Sequence, residues 1–227
     1  MQTIVVLTGA GISAESGIRT FRDSDGLWEE YRIEDVATYD AWRRNQSLVL
    51  EFYNQRRRQL ATVEPNAAHY ALVKLEEKYK VIIVTQNVDN LHERAGSTNI
   101  LHLHGELTKA RSSLYENLVT DIGYNDIKPG DLCAKGSQLR PHIVWFGEAV
   151  PNIEIASGLT SGADIIMVIG TSLNVYPAAG LLHYAPPHTP KYLIDPNANQ
   201  SVSARNLTNI NEKAGTGVPA LVEKLLG

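Results

Sequence analysis

The sequence predicts a doubly wound α/β fold on a parallel, Rossmann-like sheet, with one small inserted module. Three observations carry this. Short β-branched apolar runs recur, each ending in Gly, Thr or Asn: "TIVVLTG" (3–9), "KVIIVTQN" (80–87), "NILHLHG" (99–105), "DIIMVIGTS" (164–172) and "PKYLIDPN" (190–197). Apolar runs this continuous suit strands covered on both faces. Helical patterns alternate with them, which is the signature of a sheet wrapped by helices. One long polar stretch breaks the alternation.

The clearest helices are "SLVLEFYNQRRRQLATV" (47–63), "NAAHYALVKLEEKY" (66–79) and the closing "GVPALVEKLLG". The polar stretch is 109–140, rich in turn signals (Asn-Asp, Pro-Gly-Asp, Lys-Gly-Ser) and too long for an ordinary loop. It is read as the inserted module, with 1–108 and 141–227 forming the Rossmann-like domain. In such folds ligands sit beyond the carboxyl ends of the strands, which is where the polar residues of this chain gather.

Composition narrows the function. The 227 residues are 43% hydrophobic and 20% charged, enough for a sizeable core. A net charge of -4 and a pI near 6.0, with no long basic run, argue against a nucleic-acid binder held by phosphate contacts. A single cysteine, Cys133, excludes an internal disulfide and suits a reducing, cytoplasmic compartment. The start lacks a basic n-region and no run approaches the ~18 apolar residues of a membrane span, so neither export nor membrane insertion is expected.

Directly after the first strand, Gly9-Ala10-Gly11-Ile12-Ser13-Ala14 fits G-x-G-x-x-G/A. Glycines there let backbone N–H groups approach a pyrophosphate, and a following helix N-terminus favours its charge. A tight strand-to-helix turn without ligand fits equally. The acidic residue expected about 20 positions on is ambiguous among Glu29, Glu30 and Glu34, which disfavours a hydride-transferring dehydrogenase. Arg19 and Arg22 around Phe21 suit phosphates and a ring, or a solvated loop. "TQNVDNLH" brings Gln86, Asn87 and Asp89 to a strand end, either for a polar ligand or as an Asx turn before a helix. His104 stands at the rim of the cleft; a lone histidine is also commonly structural, and His102 shares its face.

"TGAGISAESGIRTFRDSDGLW", "TQNVDNLHERAG", "LHLHGEL", "PHIVWFGEAVP" and "IGTSLNVYPAAG", in that order, resemble the sirtuins, NAD-dependent protein lysine deacylases. The resemblance runs from residue 4 to about residue 197. It implies NAD contacts from Gly9, Ala10, Gly11, Ala14, Glu15, Thr20, Phe21, Arg22 and Trp28. It implies further contacts from Gln86, Asn87, Val88, Asp89 and His104, then Gly170, Thr171 and Ser172, then Asp195, Asn197 and Ala214. Asn87 and Asp89 would border the nicotinamide carboxamide, which needs one donor and one acceptor. His104 would be the general base: the acyl oxygen attacks the ribose carbon as nicotinamide leaves, and the base takes a ribose hydroxyl proton so that the hydroxyl attacks the imidate. The products would be lysine, nicotinamide and O-acyl-ADP-ribose. "HIVWFGE" (142–148) is similar to the segment that pairs with the acyl-lysine peptide by strand addition, with Val144 and Phe146 against substrate. Trp145 and Phe146 also suit plain core.

Tyr53 and Arg56 are three apart, hence on one helix face. That spacing resembles the sirtuin subgroup that removes succinyl and other acidic acyl groups, and a guanidinium fork with a phenol matches a carboxylate. Acetyl groups should also be accepted. Alternatively, the three arginines at 56–58 form a solvated face. Sirtuins commonly hold a structural zinc through two CxxC pairs, whereas tetrahedral zinc needs four ligands and this chain has Cys133 alone. Zinc is therefore not expected, an improvised site from Asp131, Cys133 and His142 included. Two other readings remain: a protein ADP-ribosyltransferase, which needs no Tyr–Arg pocket, and a non-catalytic NAD or acyl-lysine binding module.

Overall fold

Five buried residues in a row, Ile165 to Ile169, show what the apolar runs are for: a strand with no solvent-facing side. The computed structural model describes residues 1–18, 27–28, 31–171, 178–198 and 204–227. Its strands are β1 (Thr3–Thr8), β2 (Leu27–Trp28), β3 (Tyr31–Arg32), β4 (Lys80–Thr85), β5 (Ile100–His102), β6 (Gly105–Ser112), β7 (Val119–Asp121), β8 (Leu139–Ile143), β9 (Ile165–Ile169), β10 (Lys191–Ile194) and β11 (Leu207–Ile210). Its helices are α1 (Ile33–Val36), α2 (Tyr39–Arg44), α3 (Gln46–Leu60), α4 (Ala67–Leu75), α5 (Leu91–Ala95), α6 (Ile153–Ser161) and α7 (Ala214–Leu226).

Six strands form one parallel sheet in the order β11-β10-β9-β1-β4-β5. The chain steps outward one way through β1, β4 and β5, then the other way through β9, β10 and β11. The order thus reverses between β1 and β9, the switch point where doubly wound sheets open a crevice. Because side chains alternate along a strand, Ile4 and Val6 pack with Leu72 and Leu75 of α4 and Val218 and Leu221 of α7. Val5 and Leu7 face the other side, with Ala156 of α6 and Leu181 and Leu182.

A second, antiparallel sheet of order β7-β6-β8 packs beside α2 and α3. Trp42, Phe52, Tyr53, Leu107, Ile143 and Trp145 make its shared core. Arg57 of α3 fastens the two together from within that core. It is fully buried and donates to the Leu107 carbonyl at 2.6 Å, to Asn54 Oδ1 at 2.6 Å and to the Asn125 carbonyl at 3.3 Å.

Several elements differ from expectation. α3 ends at Leu60 and α4 at Leu75, short of residues 63 and 79, with turns completing the connections. α5, α6 and β11 carry weak patterns: α6 has Gly158 at its centre, and β11 is a sheet-edge strand with only half-buried apolar residues. No helix is long and apolar enough to cross a membrane among the described residues.

Candidate active site

A cleft of about 940 Å³ opens where β1, β4, β9 and β10 end. Its walls collect the singled-out residues from across the chain: Gly9, Ala10, Gly11, Ala14 and Glu15 after β1; Gln86, Asn87, Val88 and Asp89 after β4; His104 after β5; Gly170 and Thr171 after β9; Asp195 and Asn197 after β10; Ala214 at the start of α7. Tyr53 and Arg56 enter from α3, Val144 and Phe146 from the segment after β8. Thr20, Phe21, Arg22 and Ser172 lie outside the described residues, and so does the side chain of Trp28.

The opening loop is shaped by the reversal beside it. Gly9 N–H donates to the Ile169 carbonyl at 3.0 Å and Gly11 N–H to the Gly170 carbonyl at 2.8 Å. A Cβ on Gly11 would stand 2.6 Å from Gly170 Cα, and one on Gly9 the same 2.6 Å from Thr171 Cβ. Glycine is thus required for two backbones to cross, and these two N–H groups are spent on the fold. The helix expected next is replaced by two 3-10 turns, Ala10–Ile12 and Ala14–Ser16, ended by Gly17 at φ 96°. Any anion here meets turn N–H groups rather than a helix dipole. Glu15 accepts the Gly215 N–H at 2.7 Å, tying the loop to the first turn of α7 beside Ala214.

Ser13 joins the two loops at the centre. Its hydroxyl donates to Asp89 Oδ2 at 3.0 Å and accepts from Asn87 Nδ2 at 3.1 Å. Asp89 Oδ1 also takes the Leu91 N–H at 3.1 Å, so the Asx-turn role and a place in the cleft coexist on one carboxylate. Burial raises the pKa of Asp89, opposed by the Leu91 N–H and the Ser13 hydroxyl.

Two alternate histidines grip successive carbonyls. His104 Nδ1 lies 3.0 Å from the Gln86 carbonyl, so the neutral ring must carry its proton on Nδ1 and keep a lone pair on Nε2. Burial lowers the His104 pKa against that hydrogen bond, favouring the neutral ring. His102 Nδ1 lies 3.1 Å from the Asn87 carbonyl and Nε2 2.7 Å from Glu93. Both its nitrogens face acceptors, which favours the protonated ring; burial opposes the charge, but Glu93 outweighs it and the pKa rises. Glu93, His102 and Glu106 bring ligand-type atoms within 4.8 Å of one another. Their charges are matched inside the protein, His102 by Glu93 and Glu106 by Lys109 at 2.7 Å.

The three consecutive arginines of α3 take three different roles. Arg58 pairs with Glu51 and Asp126 at the surface, Arg57 is the buried fastener, and Arg56 lines the cleft, its guanidinium 5.0 Å from the Phe52 ring centre. A uniformly solvated face is excluded.

Comparison with known proteins accords with this geometry. The pattern of the Sir2 family matches residues 9–177. The chain belongs to the Sir2 family. It is 52% identical over 232 residues to a Bacteroides thetaiotaomicron protein named NAD-dependent protein deacylase, covering 100% of this chain and 99% of that one. A Helicobacter pylori protein of the same name is 54% identical over 226 residues, covering 100% and 98%. The crystal structure of a Sir2 homologue in complex with NAD superposes with a TM-score of 0.89 at 39% identity, over 99% of this chain and 89% of that one.

Within this Sir2 chain, residues beyond those singled out also matter. Ser13 lay inside the quoted loop motif, but only folding shows that its hydroxyl meets Asn87 and Asp89. Trp145, which suited plain core, donates its indole N–H to the Tyr53 hydroxyl at 3.0 Å. Lys213 also lines the cleft, brought there by the start of α7. In the antiparallel sheet, Ser112 and Ser137 share a hydrogen bond of 2.6 Å and Ser137 lies 3.1 Å from Cys133 Sγ. Hydrogen bonds to Ser137 and then Ser112 hold the thiol pKa down to about 6.

Proposed function

We propose that this chain is an NAD-dependent protein lysine deacylase acting on both acetyl and succinyl groups of acyl-lysine proteins. The observation that carries the reading is His104: a neutral, half-buried imidazole with its lone pair on Nε2, in one cleft with the Ser13–Asn87–Asp89 cluster. NAD fits the residues present. The cleft lies at the topological switch point between β1 and β9, and its centre offers a buried amide beside a buried carboxylate.

In this reading Asn87 and Asp89 recognise the carboxamide, Ser13 holding both in register. Gly9, Ala10, Gly11, Ala14 and Glu15 form the wall along the diphosphate, and Gly170, Thr171, Asp195, Asn197 and Ala214 the wall at the adenosine. When bound, NAD supplies an electrophilic ribose carbon with nicotinamide as leaving group, and a ribose hydroxyl that ends as the acyl acceptor in O-acyl-ADP-ribose. His104 takes the hydroxyl proton on Nε2, the nitrogen left with a lone pair by the Gln86 contact. The Gln86 carbonyl stabilises the imidazolium that results. Val144 and Phe146 flank the acyl-lysine peptide, which adds as a strand.

Arg56 and Tyr53 would meet the carboxylate of an acidic acyl chain, the guanidinium as a charged fork and the phenol as a donor. Residues 109–140, which carry the end of β6, all of β7 and the start of β8, are read as a small inserted module held by its own packing, the Ser112–Ser137–Cys133 hydrogen bonds included, rather than by zinc. Cytoplasmic residence suits a chain with one cysteine in 227 residues.

The test is mass spectrometry of acetyl-lysine and succinyl-lysine peptides with NAD, using wild type, His104→Ala and Arg56→Met. The expected result is removal of both groups by wild type, loss of succinyl turnover alone in Arg56→Met, and silence in His104→Ala. ADP-ribose appearing on protein while both peptides stay intact would turn the reading to a transferase. Bound NAD without turnover would make the chain a binding module.

A further inference from the structure

We propose that Asn66 is a positioning residue for NAD, holding the loop after β1 in its binding shape from behind; the proposal rests on the reading of that loop as a wall of the cofactor site. Asn66 is the N-cap of α4. Its Oδ1 accepts the Ala68 N–H at 3.0 Å, and its backbone N–H donates to His69 Nδ1 at 3.2 Å. Capping by the side chain needs only that acceptor oxygen, which serine or aspartate would supply equally well. The side-chain amide adds two hydrogens, and both leave the helix. Nδ2 donates to the Ile12 carbonyl at 2.8 Å and to Ser16 Oγ at 2.9 Å, 54 and 50 positions away in sequence.

Those two contacts fall on the last residues of the two 3-10 turns, Ala10–Ile12 and Ala14–Ser16. Turns this short have poor hydrogen-bond geometry and few bonds of their own; among them are Ser16 N–H to the Ser13 carbonyl at 3.1 Å and Gly17 N–H to the Ala14 carbonyl at 3.0 Å. Between the clamped ends lie Ser13, Ala14 and Glu15, which face the cleft. Ser13 aligns Asn87 and Asp89, and Glu15 accepts the Gly215 N–H. A shift at either clamped end therefore disturbs the carboxamide cluster and the tie to α7 together. The clamp is mounted on a packed element: Ile12 shares one buried cluster with Ala68, Leu72 and Leu75 of α4. Asn66 stands behind the cleft wall and acts only through the loop.

The experiment measures the Kd of NAD by calorimetry, and KM for an acetyl-lysine peptide at saturating NAD, for wild type, Asn66→Ser, Asn66→Asp, Ser16→Ala and the Asn66→Ser, Ser16→Ala double variant. Amide hydrogen exchange of the free proteins reads the loop directly. Serine and aspartate keep the oxygen that caps α4 and lack the amide donor. Both Asn66 variants are expected to raise the Kd of NAD about fivefold, the size of one ordinary hydrogen bond, and to leave the peptide KM unchanged. Exchange at Ser16 and Gly17 should quicken while α4 stays protected. Ser16→Ala should weaken NAD about twofold and add nothing in the Asn66→Ser background. An unchanged Kd in both Asn66 variants reduces Asn66 to a helix cap and overturns the proposal, as does an equal loss in peptide KM; the cofactor reading then still stands on wild-type binding. A wild type that binds no NAD overturns both. Where the Asn66 variants do not fold, Ser16→Ala decides alone, since it leaves the α4 cap in place, and an unchanged Kd there counts against the proposal.

Discussion

The Ser13 hydroxyl donates to Asp89 Oδ2 at 3.0 Å while accepting from Asn87, so one small side chain aligns an amide and a carboxylate from another loop. Removing it deprives Asp89 Oδ2 and Asn87 Nδ2, both in buried side chains, of their Ser13 partner, at a cost of ~1–3 kcal/mol. Ser13→Ala should therefore lose roughly tenfold or more in kcat/KM for NAD, and Ser13→Thr should retain more. Steady-state rates at varied NAD decide this. Equal activity of Ser13→Ala and wild type would show that Asn87 and Asp89 need no such alignment.

Glycine substitutions should separate by backbone proximity. A Cβ on Gly11 would lie 2.6 Å from the Gly170 backbone, whereas one on Gly158 in α6 would meet nothing within 4 Å. Gly11→Ala must push two chains apart and is expected to destabilise by roughly 1–3 kcal/mol or more and to weaken NAD binding. Gly158→Ala should stabilise by roughly 0.5–1 kcal/mol, because alanine restricts the unfolded chain and favours the helix. Denaturant midpoints and NAD titration check both; a Gly11→Ala protein as stable as wild type would refute the crossing argument.

Acid should unfold the protein through its histidine core. His69 is fully buried; its Nδ1 accepts the Asn66 N–H at 3.2 Å in the cap of α4, and its ring stands 4.9 Å from that of His92. Burial lowers the His69 pKa from 6.5 to about 4, and burial also takes His92 well below its usual value. A depressed histidine pKa means that the unfolded chain binds the proton first. Stability is full above pH 6.5 and falls as the pH drops toward 4, by about 3 kcal/mol from His69. His69→Gln keeps an acceptor at this capping position and removes the titration. Its denaturant midpoint should fall less between pH 7 and pH 4.5 than that of wild type; identical slopes would assign the acid sensitivity elsewhere.

Metal removal should leave the module intact. Ser112, Ser137 and Cys133 are joined by hydrogen bonds of 2.6 and 3.1 Å, and the Ser112 oxygen also accepts the Leu114 and Tyr115 N–H groups at 3.2 and 2.9 Å. Exhaustive chelation should change neither melting temperature nor peptide turnover, while Ser112→Ala should lower the melting temperature. Activity lost to chelator and restored by zinc would defeat this account.

The parallel sheet was legible in the sequence because its strands are buried on both faces, so β1, β4, β9 and β10 read as unbroken apolar runs. β11 did not, since only Leu207 and Ile210 of its four residues are apolar and both are half-buried, and α6 was masked by Gly158. The loops that line the cleft were legible for a related reason: polar residues crowd at the ends of these apolar strands, where the crevice opens, and their order along the chain marks the family. Side-chain pairings across long separations depend on the fold. Ser13 meets Asp89 because the β1 and β4 loops sit side by side, although 76 positions separate them. Trp145 meets Tyr53 across 92. The arginine run at 56–58 shows the division most plainly: its helical spacing follows from sequence, but which guanidinium enters the cleft, which fastens the core and which stays in water depends on what packs against each side of α3. Composition and periodicity determined the sheet and where a ligand would lie; tertiary packing decided which donors face which acceptors, because hydrogen bonds are directional and apolar burial is not.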